Sequence, residues 1–337
     1  MPFRHLVALF CAMSIAFAVG MQWVLILDQQ RTPIIASTGN ISSNNIADVA
    51  SASSNLLPAL IGSTTPAITP VDEMIEMVNM LRVEKGLPPV RFNPQLALSA
   101  QRYTQRMAEN NFFGHNDPDN GCSKPYERAL AAGFEGWTHV SENIAAGQAT
   151  ATDAMQGFIN SPSHYKTLVN PNLREVGIGL FTELSDTDSV RIIGACPSSD
   201  RMGGPYLYYW AQEFGSRQTG TTPVLPVIIN NEAFDTDGPE VPIYIYGGVS
   251  GQSAWANEMR LSQDGQSWTA YEPWQPNKIV TLTNSPGLKA IYVELKHIDP
   301  TSQEATTQII SDTIYLNPPN QPGFVATAFL FIPLAAR

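Results

Sequence analysis

Two hydrophobic periods divide this chain, and they do not mix. From Val71, the stretch VDEMIEMVNMLRVEKGLPPV sets Met74, Val78 and Leu81 at helical spacing with Ile75 beside them, and Gly86 with Pro88 supplies the stop. FNPQLALSAQRYTQRMAENNFF follows, with Asn93 as N-cap, Pro94 in the first helical position, and Leu96, Ala100, Tyr103 and Met107 on one face. The two helices are predicted to pack on each other. Shorter helices are predicted over 125–132, ended by Gly133, and over 151–160. The period then changes to alternation in EVGIGLFTEL (175–184), SVRIIGAC (189–196) and YLYYWAQEFG (206–215), which predicts an antiparallel sheet. Helices first and strands last make residues 70–218 an α+β domain. After SRQTGTTP no helical period returns. VLPVIIN, VPIYIYG, NEMRLSQ, SWTAYEPW, KIVTLT, KAIYVELKHID and TTQIISDTIYL read as short strands, with turn signals at Asp237-Gly238 and Asp264-Gly265. An all-β sandwich is expected over 222–317.

A chain of 337 residues is long enough for two such units. Ahead of them, MPFRHLVALFCAMSIAFAVGMQWVLIL carries Arg4, an apolar run and the small-residue pattern Ala16-Phe17-Ala18. Residues 1–27 therefore read as a secretory signal peptide or, uncleaved, as a signal anchor. Secreted, extracellular or membrane-anchored protein are the locations this allows. Residues 28–69 are rich in Ser, Asn, Thr and Ala without a sustained period, the composition of a flexible linker. At the other end, 318–337 is a tail in which NPPNQPG breaks structure and FVATAFLFIPLAAR is too short to span a bilayer. A formal charge of −11 argues against nucleic acid as a partner, because affinity for phosphate backbones comes from cationic side chains.

Cys11 lies in the leader, which leaves Cys122 and Cys196 for the exported part. An oxidising compartment allows these two to form a disulfide, the alternative being two free thiols. Chemistry concentrates in three pieces: FFGHND with His115, SENIAAG with Glu142, and SPSHYK with His164. Two neutral imidazoles and a carboxylate suit Zn or another divalent metal, with His115 and His164 as ligands and Glu142 either ligating or orienting a ligand. Spacing alone does not establish such a site.

In order, GHND, SENIA, SPSHYKTLV, VGIGL and YYWAQEFG resemble the motifs of the CAP superfamily, also called SCP or PR-1-like, in its bacterial form, over residues 71–217. The resemblance implies an α-β-α sandwich with a central antiparallel sheet. It also implies an extracellular module associated with lipid or sterol binding, metal binding and, in some members, proteolysis. The family's cavity residues fall on His115, Glu142 and His164. Many eukaryotic members carry a second acid three residues before the latter histidine, where this chain has Ser161.

The first expectation is therefore a non-enzymatic extracellular binding module, with a His115–Glu142–His164 cavity, rimmed by Ser161, for a divalent metal or a small or lipid ligand. The alternative is a secreted metal-dependent hydrolase of peptidase type, with Glu142 as catalytic general base. Ser161 and Ser163 are better explained as helix N-caps around Pro162 than as nucleophiles. Glu142 divides between a cavity role and a buried acid tied to backbone amides in a loop, and Asn143 reads as a loop-bonding amide. His139 reads as a satisfied loop histidine and His297 as a solvent-facing strand residue. The C-terminal region resembles the immunoglobulin-like or fibronectin-like modules of exported bacterial proteins, which space a domain or dock a cell-envelope partner. Its Trp255, Trp268 and Trp274 read as sandwich core before they read as a carbohydrate surface.

Overall fold

The computed structural model describes residues 67–248 and 253–317. The leader over 1–27, the linker up to residue 66 and the tail over 318–337 lie outside the described residues. Helix α1 (Pro70–Glu84) starts at Thr69, whose hydroxyl accepts from the Asp72 amide while the Asp72 carboxylate takes the Thr69 amide. After β1 (Arg91–Phe92) comes α2 (Pro94–Glu109), where the Asn93 side chain caps the amides of Gln95 and Leu96. The chain continues through β2 (Phe112–Phe113), α3 (Pro125–Ala131), β3 (Trp137–Ala146), α4 (Ala151–Asn160) and α5 (Pro162–Leu168). Strands β4 (Glu175–Thr182), β5 (Val190–Ile192), β6 (Arg201–Gly203), β7 (Tyr208–Thr219) and β8 (Thr222–Pro223) complete this part.

The main sheet has the order β1-β4-β7-β3, which leaves β3 at its edge. The β4–β7 and β7–β3 ladders are antiparallel, whereas β1 joins β4 in parallel. Successive side chains on a strand leave opposite faces. One face of β7 presents Trp210 and Phe214 to Met74, Val78, Met155 and Phe158 of α1 and α4. The other presents Tyr209 and Ala211 to Ala100, Tyr103 and Met107 of α2. Helix α2 approaches very closely because β4 carries glycine where the two meet. A Cβ on Gly177 would stand 2.0 Å from the Ala97 nitrogen, and one on Gly179 would stand 2.4 Å from the Ala100 carbonyl carbon.

Two expectations are corrected here. SVRIIGAC supplies only β5, which pairs with β2 and β6 in a separate three-stranded sheet. Glu142, Asn143 and His139 are not loop residues: WTHVSENIAA is the ten-residue strand β3. Alternation does not reveal it because both of its faces meet polar partners.

The C-terminal region is β-rich. Its elements are β9 (Val227–Ile229), a 3-10 turn at Asn230–Glu232, β10 (Asp235–Thr236), β11 (Glu240–Ile245), β12 (Glu258–Ser262), β13 (Glu272–Pro273), β14 (Asn277–Thr281), β15 (Gly287–Ile298) and β16 (Ala305–Leu316). They form a five-stranded sheet, β10-β16-β15-β12-β13, and a three-stranded one, β14-β11-β9. Val227, Ile243, Met259, Ile291, Val293 and Ile314 from both sheets share one core. Trp255 and Trp274 pack against that core, while Trp268 lies under the Arg260 guanidinium. His297 is not simply solvent-facing, since its ring stacks on Trp255 and bonds the Trp255 carbonyl at 2.6 Å.

Polar side chains fasten the two regions together. Arg91 pairs with Glu232 at 3.3 Å and with Asp312 at 3.1 Å. Asn79 donates to the Asn231 carbonyl, Tyr246 to the Pro89 carbonyl, and the Phe234 amide to Glu76.

Candidate functional site

Edge strand β3 places two consecutive polar side chains on opposite faces of the main sheet. Glu142 lies across from Glu213 of β7, and Asn143 across from Gln212. Glu142 faces α2 and α3; Asn143 faces α1, α4 and α5. Because β3 is the last strand, residues from both helical layers reach its rim.

On the α2 and α3 side the Glu142 side chain is only 1% exposed and has both oxygens engaged. One meets the Nδ1 of His115 at 2.8 Å and the other accepts from Arg128 Nη2 at 2.6 Å. Arg128, on α3, also donates to the carbonyls of His115 and Ser123, and its guanidinium lies 3.4 Å above the ring of Tyr103. Tyr103 in turn donates to the Gly114 carbonyl. A single cation therefore ties the loop carrying His115 to the strand carrying Glu142. The same loop is anchored by buried Asp117, which pairs with Arg106, and by the disulfide between Cys122 and Cys196, whose Cα atoms are 5.9 Å apart. The His115 side chain remains half exposed.

Behind Glu142 stands Glu213, fully buried, with one oxygen accepting from Ser99 at 2.9 Å. Burial, and next the negative charge of Glu142, hold its carboxyl well above the usual carboxylate range. Two carboxylates this close in a dry setting do not both ionise readily. Glu213 is thereby biased toward its protonated form, and the Glu142 carboxylate is paired with Arg128.

On the opposite side, Asn143 donates to Gln212 and to the main-chain carbonyl of His164, which fixes the start of α5 against the sheet. The His164 ring meets Phe158 edge to face at 5.4 Å. Burial, and then the charge of nearby His115, lower its pKa, so the ring is neutral at pH 7. Ser161 takes the N-cap position before Pro162 as expected, but its hydroxyl makes no capping bond and meets Ser163 at 3.2 Å. His139 is satisfied by Ser141 and Asn170.

The structure thus brings Glu142 against His115 and sets His164 within electrostatic reach of His115. Protein donors for a divalent ion reduce to the free imidazole nitrogens, because both Glu142 oxygens are committed. Among the described residues no group of three or more His, Cys, Asp or Glu side chains is arranged to hold a metal. A closed Zn site takes four protein ligands and a catalytic one three, so this donor set fits Zn poorly. Four buried polar atoms around the site have no protein partner: Arg128 Nε, Ser123 Oγ, Asn143 Oδ1 and Glu213 Oε2. Such orphans mark positions that water or a ligand completes.

In sequence, Tyr103 reads only as part of the packing face of α2, and neither Arg128 nor Glu213 is singled out. Arg128 in PYERALA reads as an ordinary helix-surface charge. Glu213 did carry a signal, since an acid inside the apolar run YYWAQEFG is costly unless it is paired or neutral.

Residues 75–193 match the family model described as CAP, the cysteine-rich secretory protein family, and this stretch is a CAP domain. Two Bacillus subtilis proteins are similar to part of the chain. The uncharacterized protein YkwD is 32% identical over 107 residues, which is 32% of this chain and 40% of that protein. The uncharacterized membrane protein YlbC is 29% identical over 108 residues, which is 32% of this chain and 30% of that protein. The chain spans less than half the length of either relative. Among solved structures, an outer surface protein from Borrelia burgdorferi is 17% identical with a TM-score of 0.35, over 46% of this chain and 100% of that one. An extracellular SCP-domain protein from Bacillus anthracis is 23% identical with a TM-score of 0.33, over 43% of this chain and 40% of that one.

Proposed function

We propose that this chain is an exported, non-enzymatic binding protein whose CAP domain holds a small or lipid-like ligand at the His115–Glu142–His164 rim, with a divalent metal as a weaker occupant. One observation carries the reading: both oxygens of Glu142 are spoken for, by His115 and Arg128. A general base must reach the proton that it abstracts, and Glu142 is instead an orienting group. It accepts from His115 Nδ1–H, which leaves Nε2 as the ring nitrogen turned to the rim. The neutral His164 ring offers an acceptor beside it, which suits a ligand head group that donates a hydrogen bond. Arg128 offsets the Glu142 charge, which weakens the pull on a cation. Export is supported by the leader and by the Cys122–Cys196 bond, which persists in oxidising compartments.

The test is organic extraction of the purified exported chain followed by mass spectrometry, with Zn²⁺ titration of wild type and His115→Ala/His164→Ala alongside. A co-purifying molecule lost in the double variant supports the binding reading. Hydrolytic turnover that vanishes in Glu142→Gln would overturn it in favour of a secreted metal-dependent hydrolase. Zn²⁺ binding that is equal in wild type and double variant removes the metal from the site.

A further inference from the structure

The two sheets of the β-rich region do not match strand for strand. Strand β9 lies over β16, where the Ile229 amide bonds Asp312 at 2.7 Å. Strand β14 lies over β12, where Gln263 reaches the Thr281 carbonyl and accepts from the Thr283 amide. With β11 between them, no described strand of the smaller sheet covers β13. The gap is a slot of about 800 Å³ floored by Leu261, Val280 and Ile291. Gln263 bridges one end of it, and the Lys278–Glu272 pair at 2.8 Å bridges the other.

The phase of the β14 ladder shows what the slot recognises. Leu282 N–H bonds the Pro239 carbonyl and Ile245 N–H bonds the Pro276 carbonyl, so Pro276, Lys278, Val280 and Leu282 turn their main-chain groups to β11. Asn277, Ile279 and Thr281 turn theirs to the open edge, where Gln263 takes only the Thr281 carbonyl. The Ile279 side chain beside them is 64% exposed. An apolar edge strand with free donors and acceptors is a template for another strand.

We propose that this slot seats an added strand, and that the occupant is the chain's own segment 324–332, FVATAFLFI. That segment lies outside the described residues. Its composition is that of a buried strand, with aromatic and β-branched residues and no charge. The slot lining carries Asp264 and Glu272 against one cation, Lys278, so an acid-free occupant is favoured. Reach also agrees. Leu316 pairs with Gly287 and Ser262 with Tyr292, so β16 ends on the Gln263 side of the slot. From there to the slot is roughly three strand spacings across, one sheet spacing down and five residues along, or about 24 Å. The eight residue steps from Leu316 to Phe324 span up to about 28 Å when extended. Entering at the Gln263 end, the segment runs antiparallel to β14.

Hydrogen exchange tests this on the exported chain and on the same chain ended at Asn317. In the full chain the Ile279 and Thr281 amides should exchange at least about tenfold more slowly than in the shortened one, and adding the peptide GFVATAFLFIP to the latter should restore protection. Should the shortened chain misfold, Ile279→Pro in the full chain replaces it. That N–H is not used by β11, so the sheet tolerates proline there while pairing at the open edge is lost and Thr281 exchanges fast. Equal exchange in all forms overturns the proposal. Protection that disappears on dilution, with sedimentation as a dimer, also overturns it by assigning the slot to a second copy.

Discussion

Replacing Arg128 by methionine removes the cation that neutralises Glu142 and leaves a carboxylate only 1% exposed with a single remaining partner, His115. The Arg128 side chain is itself only 12% exposed, so little solvent screening reduces the effect. Breaking one side of such a pair typically costs about 3–5 kcal/mol, against about 1 kcal/mol or less for an exposed pair. The packing over Tyr103 is largely kept by methionine, while the bonds to the His115 and Ser123 carbonyls are lost. With a urea m-value near 2–3 kcal/mol per M for a unit of this size, the midpoint should fall by roughly 1–2 M. Adding Glu142→Gln removes the stranded charge and should recover about 2 kcal/mol, so that the two substitutions are clearly non-additive. Urea unfolding of the four proteins in this cycle is the measurement. A loss below about 1 kcal/mol in Arg128→Met, or strict additivity, would show that Glu142 is solvated. Its availability as a general base would then return.

Glu213 makes stability depend on pH. Its carboxyl is raised in the folded chain, so the stability it contributes is complete below its ordinary value of 4.5 and is lost as pH rises through the folded value. The slope reaches at most about 1.4 kcal/mol per pH unit, and Glu213→Gln should flatten it in denaturation curves recorded across pH. His164 acts in the opposite sense: its lowered pKa contributes stability above 6.5 that is lost as pH falls below that value, and His164→Gln should remove that loss. Cys122→Ser/Cys196→Ser opens a loop with a sequence separation of 74 residues. The expected loss in thermal or urea unfolding is at most about 4.5 kcal/mol, and ligand co-purification should fall because the His115 loop loses an anchor. Gly177→Ala should prevent accumulation of folded protein, since the added methyl meets α2 backbone rather than a movable side chain; near-normal yield and melting temperature would contradict the close helix–sheet contact.

What the sequence revealed follows the range of the signals. Asn93 and Pro94 begin α2 where expected, because capping is a contact between neighbours. Ala151–Asn160 is likewise the helix its local pattern describes. Strand β3 was missed because the polarity of SENIA makes sense only once Ser99, Arg128, Gln212 and Glu213 are brought to it from distant parts of the chain. Similarly, His115, Glu142 and His164 could be named from motifs, but their division across two faces of an edge strand depends on the order β1-β4-β7-β3. Arg128 was invisible for the same reason, as its partner lies on another element.

The seam between the two regions reads in sequence as SRQTGTTP, a place where a chain invites division. Its neighbours say otherwise. Only Val224, Leu225 and Pro226 separate β8 from β9, and both Leu225 and Pro226 are buried. Cutting there would take Glu232 and Asp312 away from Arg91, and the Asn231 carbonyl away from Asn79. A protein expressed as residues 70–218 would carry a charged wound on its flank, so ligand affinities measured on it would mix the chemistry of the His115 rim with the cost of a severed joint. Work on the site belongs with the C-terminal region attached.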